Sequence, residues 1–500
     1  MITVRDIVGA GLIDDFTAPP YDGVLDDERV TIDVVAARRM VVSVGQTLSN
    51  AKRVGVLSNQ RVETYVAVTA CVLVGVTFVP LNPKFPVARL RRIIELGNVD
   101  TILFDTSTEK MKQELFGDLH GINLTEICTG ENITHDTDTK SWVSAALDGL
   151  LQEDHIAYVM FTSGSTGDPK GVPVSYKNLA SYVAGITELL DIPQGLRFTQ
   201  FFDLSFDLSM HDIFISRFLN GTLVAPKPID SLMPAAYLTR EQIDVWFSVP
   251  VLGAILGRAK RKDSYRGVRY MLFCGEALPM ETVISCRVHL AEDGSLWNLY
   301  GPTEATIAFT AADVTHVSAA TGVASIGHCF GQNKVALLMG DEIVESPNVG
   351  DEGELLLGGP QVFGGYSLPV SSAFVSTTSS SYYRSGDLVR IAKEGINYRG
   401  RSDSQIKWRG YRIELGEIES AIRAEYGIKT VAVVLSQTSE EPVIVAWCSA
   451  DEGNEVFDLD RLALRLPDYM IPSRIISLAE IPLNVNGKID RPKLMNMSID

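Results

Sequence analysis

Residues 158–176 read YVMFTSGSTGDPKGVPVSY, an apolar run that passes into small hydroxylated residues and glycines, with one lysine near the end. Thr162, Ser163, Ser165 and Thr166 offer hydroxyl donors, and Lys170 adds a positive charge. Gly164, Gly167 and Gly171 are expected to admit positive φ, so that successive backbone amides turn toward one anion. Such a loop is suited to holding phosphate. Its ending is not the Gly-Lys-Ser/Thr of the P-loop nucleoside triphosphatases, which excludes that class. A flexible Ser/Gly surface linker is the competing reading, and a buried strand running straight into the loop speaks against it.

The elements around this loop follow from local pattern. AYVMF should be a central strand, and loops leaving the carboxyl ends of parallel strands are where α/β folds bind ligands. Short apolar runs at 53–60, 99–105, 155–164, 221–226, 245–250 and 269–276 read as further buried strands, each closed by a turn signal. The stretch TYVAVTACVLVGVTFVPL (64–81) reads as a buried helix running into a strand, and 85–97 and 176–190 as helices. Strand and helix alternating in this way predict an α/β fold with largely parallel sheets. VSTTSSSYYRSGD (375–387) is serine-rich and is expected to be an exposed loop. After about residue 400 the texture changes to strand, helix and two strands, which predicts a small α+β domain.

Bulk composition sets the class. Five hundred residues exceed one ordinary core, so two or more domains are expected. With 46% hydrophobic and 21% charged residues the chain is globular rather than disordered. No apolar segment reaches the roughly 18 uncharged residues that span a bilayer. Acids among the first apolar residues argue against a signal peptide. A formal charge of −18 speaks against nucleic acid or a membrane surface as partner. The six cysteines are scattered without CxxC spacing, as expected of reduced thiols in a cytoplasm.

The opening stretch resembles the phosphate loop of the adenylate-forming superfamily: acyl-CoA synthetases, luciferases and the adenylation domains of nonribosomal peptide synthesis. In the family's order it is preceded by GVTFVPLNPKFPVARL (75–90). It is followed by NLYGPTEAT (298–306), GELLLGGPQVFGGY (353–366), YRSGDLVR (383–390), GRSDSQIKWRGYRIELGEIE (400–419) and NVNGKIDR (484–491). The first 70 residues match poorly, and the family's Thr-Tyr-x-Glu-Leu segment is not visible near 29–40. The resemblance implies a large N-terminal AMP-binding and substrate domain, 1–402, of stacked mostly parallel α/β sheets plus a β-subdomain. A small mobile C-terminal α+β domain, 403–500, would carry the catalytic lysine, with Asp403 as hinge.

The resemblance also implies roles. A carboxylate is a poor electrophile, and joining it to the α-phosphate of ATP with loss of pyrophosphate makes it a good one. Two anions must meet, so catalysis is mostly positioning and charge neutralisation. The loop 162–171 matches the part that steadies the β- and γ-phosphates, and Lys488 the lysine bridging substrate carboxylate and α-phosphate. Glu304 matches the acid that coordinates Mg2+, and Thr303 an α-phosphate contact. Tyr300 would lie against adenine, and Asp387 and Arg401 would take the ribose hydroxyls. Rotation about Asp403 would deliver Lys488 for adenylation and then WRGYRIELGEIE for thioester formation.

Asp207, in FFDLSFDLSMHDIFI (201–215), aligns with the aspartate that pairs with an α-ammonium group; Asp203 is the register alternative. A buried carboxylate there is costly unless a cation joins it. By the same alignment Leu208, His211, Phe247, Leu272, Cys274, Leu299, Ile307 and Ala308 would line a pocket for a small side chain. The pattern is most similar to the D-alanine–carrier protein ligases, where a cysteine at the place of Cys274 narrows the pocket. Alanine of either hand is the first expectation, ahead of glycine, serine or proline. His211 departs from that pattern, either as a packed core histidine or as a donor selecting a polar side chain. The chain ends soon after Lys488, so transfer is expected in trans to a phosphopantetheinylated carrier protein. The alternatives are an acyl- or aryl-CoA ligase of the same superfamily, which has no use for Asp207, and a nonenzymatic nucleotide-binding member.

Overall fold

The computed structural model describes residues 3–9, 12, 20–25, 28–130, 139–149, 153–164, 168–261, 264–317, 321–367, 373–403, 405–428, 430–436, 438, 442–449, 457–483 and 489–499. The chain divides into two compact units. One comprises residues 1–83, 97–160 and 171–402, and the other 84–96, 161–170 and 403–500.

Each apolar run read as a strand contains one: Arg53–Leu57, Thr101–Phe104, Ile156–Thr162, Thr222–Val224, Val245–Ser248 and Val268–Phe273. The 64–81 stretch is the helix Val62–Val74 followed by the strand Thr77–Leu81. Gly75, at φ 76°, ends that helix with an amide donating back to Cys71 and Val72 carbonyls, a left-handed cap that suits glycine. The helix Tyr176–Leu190 starts on a reciprocal cap. The Asn178 amide donates to Ser175 Oγ at 3.1 Å, and the Ser175 amide to Asn178 Oδ1 at 2.9 Å.

Three sheets carry these elements. A six-stranded sheet has the order His120–Asn123, Thr101–Phe104, Arg53–Leu57, Thr77–Leu81, Ile156–Thr162, Lys170–Ser175. Its registered pairs from His120 to Tyr158 are parallel. A nine-stranded sheet is parallel from Thr222–Val224 through Arg197–Thr199, Val245–Ser248 and Val268–Phe273 to Leu290–Tyr300. Antiparallel strands close both ends, among them the hairpin Tyr21–Leu25 with Glu28–Ile32. Strands Lys334–Met339, Glu342–Val344, Glu352–Gly358, Phe374–Ser376, Ser381–Ala392 and Gly395–Arg401 form an antiparallel sheet. The mixed α/β class with largely parallel sheets is therefore as the sequence implies. The serine-rich stretch differs from expectation: 374–376 and 381–392 pair as a hairpin, and only 377–380 form its turn. Alternation of Tyr382, Arg384 and Gly386 with Tyr383, Ser385 and Asp387 supplies the period-two pattern that the serines mask.

The second unit contains the helix Val87–Leu96, the hairpin Gln405–Trp408 with Tyr411–Glu414, and the helix Leu415–Tyr426. A three-stranded sheet completes it, Val431–Ser436, Val443–Ser449 and Arg474–Leu478, the last strand not expected from sequence. Ile413, Ile418, Ile422, Val431, Val433 and Ile444 form its core.

Candidate active site

Asp207 begins the helix Leu208–Phe218 and is buried. Its Oδ2 accepts the Ile307 amide at 3.2 Å, and the Thr303 hydroxyl also donates to it. Burial pushes its carboxyl up to about 7, opposed by those donors and reinforced by nearby Glu304. Among the described residues no cation pairs with it. Asp203, the register alternative, instead caps its own turn through Ser205.

The Ile307 amide reaches Asp207 because the chain reverses sharply after Tyr300. Thr306 and Ile307 sit at φ 58° and 69°, a left-handed conformation that β-branched residues adopt only when the surroundings impose it. Gln361 imposes it. Its Nε2 donates to the Ala305, Thr306 and Ala308 carbonyls at 2.7–3.3 Å, and its own carbonyl accepts the Thr306 hydroxyl at 2.7 Å. Gly301 lets the two arms close, since a Cβ there would stand 2.6 Å from the Ala308 Cα. Gln361 was not foreseen, and no local pattern marks it.

The pocket candidates share one side of the nine-stranded sheet. Phe247 is registered with Leu272, and Leu272 with Trp297, two residues before Leu299. Side chains alternate along strands, so Phe247, Leu272, Cys274 and Leu299 face one way and Trp246, Met271 and Phe273 the other. The first set packs in one core cluster with Leu208, Ile307 and Ala308. His211, one helical turn after Asp207, is fully buried with its ring 4.5 Å from that of Phe247. Its Nδ1 lies 2.6 Å from the Tyr182 hydroxyl.

A second cluster gathers the residues matched to nucleoside contacts. Asp387 and Arg401 are cross-strand partners, and the guanidinium meets Asp387 Oδ1 at 2.6 Å. The Tyr300 hydroxyl donates to Asp387 Oδ2 at 2.6 Å. Burial and that carboxylate raise the Tyr300 phenol, so it stays a donor. Glu304 is buried and accepts the Tyr366 hydroxyl at 2.6 Å.

In the second unit, the described part of the glycine-rich loop meets carboxylates. The Gly164 amide donates to Glu417 Oε2 at 3.2 Å, and Lys170 Nζ lies 3.7 Å from Glu414. The Ser163 hydroxyl donates to the Arg412 carbonyl at 2.9 Å and accepts the Glu414 amide at 3.3 Å. Buried Arg89 pairs with Glu417, and Arg92 forks onto both oxygens of Asp168 at 2.9 Å. The expectation of positive φ needs correcting at two glycines. Gly164 does not adopt it and is required instead by close approach, since a Cβ would collide with the Asp168 carbonyl. Gly171 lies in the extended strand Lys170–Ser175. Thr162 ends its strand, and Asp403, at the boundary of the units, accepts the Gln405 amide. Ser165, Thr166, Gly167 and Lys488 lie outside the described residues.

The profile of the AMP-binding enzyme family matches residues 36–367. The chain belongs to that family. It is thus a member of the adenylate-forming superfamily that its motifs resemble. The chain is 30% identical over 455 residues to an L-proline–[L-prolyl-carrier protein] ligase of Pseudomonas fluorescens, 89% of each chain being covered. It is 30% identical over 461 residues to a D-alanine–D-alanyl carrier protein ligase of Bacillus cereus, covering 88% of each. Its fold matches that of the Vibrio cholerae adenylation domain AlmE in complex with glycyl-adenosine-5'-phosphate. The TM-score is 0.84 at 26% identity, covering 99% of this chain and 97% of that one. Among the described residues no helix of this AMP-binding enzyme is long and apolar enough to cross a membrane, and no three His, Cys, Asp or Glu cluster as metal ligands.

Proposed function

We propose that this protein uses ATP to activate a small, alanine-sized amino acid and passes the aminoacyl group to the phosphopantetheine thiol of a carrier protein. In the first step a substrate carboxylate oxygen attacks the α-phosphorus, and the bond to the bridging oxygen breaks with release of pyrophosphate. In the second the thiol sulfur attacks the acyl carbon, AMP departs and the thiol proton passes to solvent.

The observation that carries this reading is Asp207, a buried carboxylate held by the Ile307 amide and the Thr303 hydroxyl with no cation beside it among the described residues. An α-ammonium group completes such a site, whereas a fatty or aryl acid would leave the charge uncompensated. Tyr300, Asp387 and Arg401 are assigned to the nucleoside, and Thr303 to the α-phosphate. The loop from Thr162 to Lys170 is assigned to the terminal phosphates. Lys488 is assigned to the meeting carboxylate and α-phosphate, and Asp403 to the hinge. Glu304 and Thr303 are a hard-oxygen set of the kind Mg2+ takes together with substrate phosphates, and the metal when bound would neutralise phosphate charge. The names of the carrier protein ligase relatives support the amino acid and the carrier.

Pyrophosphate exchange across the proteinogenic and D-amino acids tests the proposal. Exchange should require a small amino acid and be lost in Asp207→Ala. Exchange driven by acetate or benzoate but by no amino acid, or turnover that needs coenzyme A alone, would overturn it.

A further inference from the structure

We infer that His211 is a specificity-determining residue whose Nε2–H selects a small amino acid bearing a hydroxyl on its β-carbon, serine being the simplest. The inference rests on the proposed function and sharpens it from small substrate to hydroxylated substrate.

Tyr182 and His211 are both buried, and the Tyr182 hydroxyl lies 2.6 Å from His211 Nδ1. Burial raises the phenol well above its ordinary value, so the hydroxyl keeps its proton and needs an acceptor. Nδ1 is that acceptor, which leaves the imidazole proton on Nε2. Nε2 is fully buried and has no hydrogen-bond partner among the described residues. A buried donor left unmade is destabilising, and such groups in folded proteins call for an explanation.

Placement supplies the explanation. Asp207 has helical backbone angles, φ −63° and ψ −19°, so His211 four residues on lies on the same helix face. The His211 ring packs on Phe247, which shares its sheet face with Leu272 and Leu299. Among the described residues Nε2–H is an orphaned buried donor on the helix face that carries Asp207, and the Tyr158 hydroxyl, which feels the Asp207 charge, is another in the molecule. Burial also lowers the imidazole to about 3, so it is neutral at working pH. A neutral donor suits a hydroxyl oxygen and offers no charge to a second carboxylate. With Asp207 taking the α-ammonium, the acceptor it awaits sits one or two bonds beyond the α-carbon. A site built to hydrogen-bond a substrate hydroxyl discriminates against the analogue that lacks it, because the donor is then left unpaired.

The test is amino-acid-dependent pyrophosphate exchange with both enantiomers of serine, alanine and threonine, together with glycine and proline. It compares the wild type, His211→Leu and Tyr182→Phe. The readout is the ratio of kcat/KM for serine to that for alanine within each protein, which cancels any loss of folded material. The wild type should favour serine by roughly tenfold or more. His211→Leu should bring the ratio to unity or below. Tyr182→Phe frees the tautomer while keeping the imidazole and should lower the ratio in part. A wild-type preference for alanine, glycine or proline over serine overturns the inference but leaves the proposed function standing. So does a ratio unchanged in His211→Leu. Exchange with no amino acid at all overturns both.

Discussion

The Ile307 amide donates to Asp207 Oδ2 from a residue held at φ 69°, so backbone strain at one position is what orients the carboxylate at another. A hundred residues separate the two in sequence, and neither can do its work alone. The strained turn aims a donor, and the donor fixes the rotamer of a carboxylate and opposes, without cancelling, the protonation that burial favours.

That burial makes a pH dependence with a definite sign. Unfolded Asp titrates near 3.9, and Asp207 in the folded chain at about 7. Between those values the native state holds a proton that the unfolded state has lost, so stability falls as pH rises from about 4 to about 7 and is level above. Three pH units at ~1.4 kcal/mol each give a penalty of about 4 kcal/mol at pH 8. Asp207→Asn should therefore raise the melting temperature at pH 8 and change it little at pH 5, measured by calorimetry. In the wild type, kcat/KM for the amino acid should fall about tenfold per pH unit below 7. The limb should appear in the KM for the amino acid.

Gln361 holds the turn that aims Ile307. Gln361→Leu removes the amide that bonds three backbone carbonyls, leaving buried acceptors unmatched at a cost of about 1–3 kcal/mol. Relaxation of Thr306 and Ile307 out of the left-handed region would then turn the Ile307 amide away from Asp207. The expected result is a KM for the amino acid raised roughly tenfold with the KM for ATP little changed, read from exchange kinetics.

Arg401 and Tyr300 share the Asp387 carboxylate, one on each oxygen. Tyr300→Phe removes the hydrogen bonds of its hydroxyl to Asp387 and with Ser385 but leaves the ion pair intact, and should weaken ATP binding by about tenfold. Arg401→Met leaves a buried carboxylate without its cation, which is typically worth about 3–5 kcal/mol. It should lower the melting temperature by several degrees and raise the KM for ATP more than Tyr300→Phe does. Isothermal titration with ATP separates the two.

What the sequence discloses and what it withholds divide along physical lines. Apolar runs such as those in the strands Arg53–Leu57 and Val245–Ser248 are legible because burial imposes a local pattern. The order of motifs from Thr162 to Arg401 is legible because chemistry fixes residue types at short range. Gln361 is not, because its three acceptors lie more than 50 positions away and any polar residue looks alike in a loop. Ile307 is not, because a β-branched residue argues locally against the very φ it adopts. The hairpin 374–392 was hidden by serines, whose turn propensity outweighs the alternation beneath them. Asp207 is legible from motif spacing, whereas the Ile307 and Thr303 donors that hold it become visible only once the chain is folded.

Arg89 and Glu417 show the same limit and allow a decisive test. They sit 328 positions apart in one unit, both buried, and Glu417 also accepts the Gly164 amide. Burial raises the Glu417 carboxyl in spite of the guanidinium beside it, so desolvation outweighs the attraction of its partner. Such a pair adds little net stability, yet breaking it is expensive because one charge is left buried alone. Arg89→Met and Glu417→Leu should each destabilise the protein by about 3–5 kcal/mol, while the double variant should recover most of that loss. Denaturant unfolding of the four proteins in a double-mutant cycle reads the coupling. The single Glu417→Leu change also strips the Gly164 amide of its acceptor, so loop function should follow a different order from stability. Both variants lacking Glu417 should show the same KM for ATP, whatever their melting temperatures.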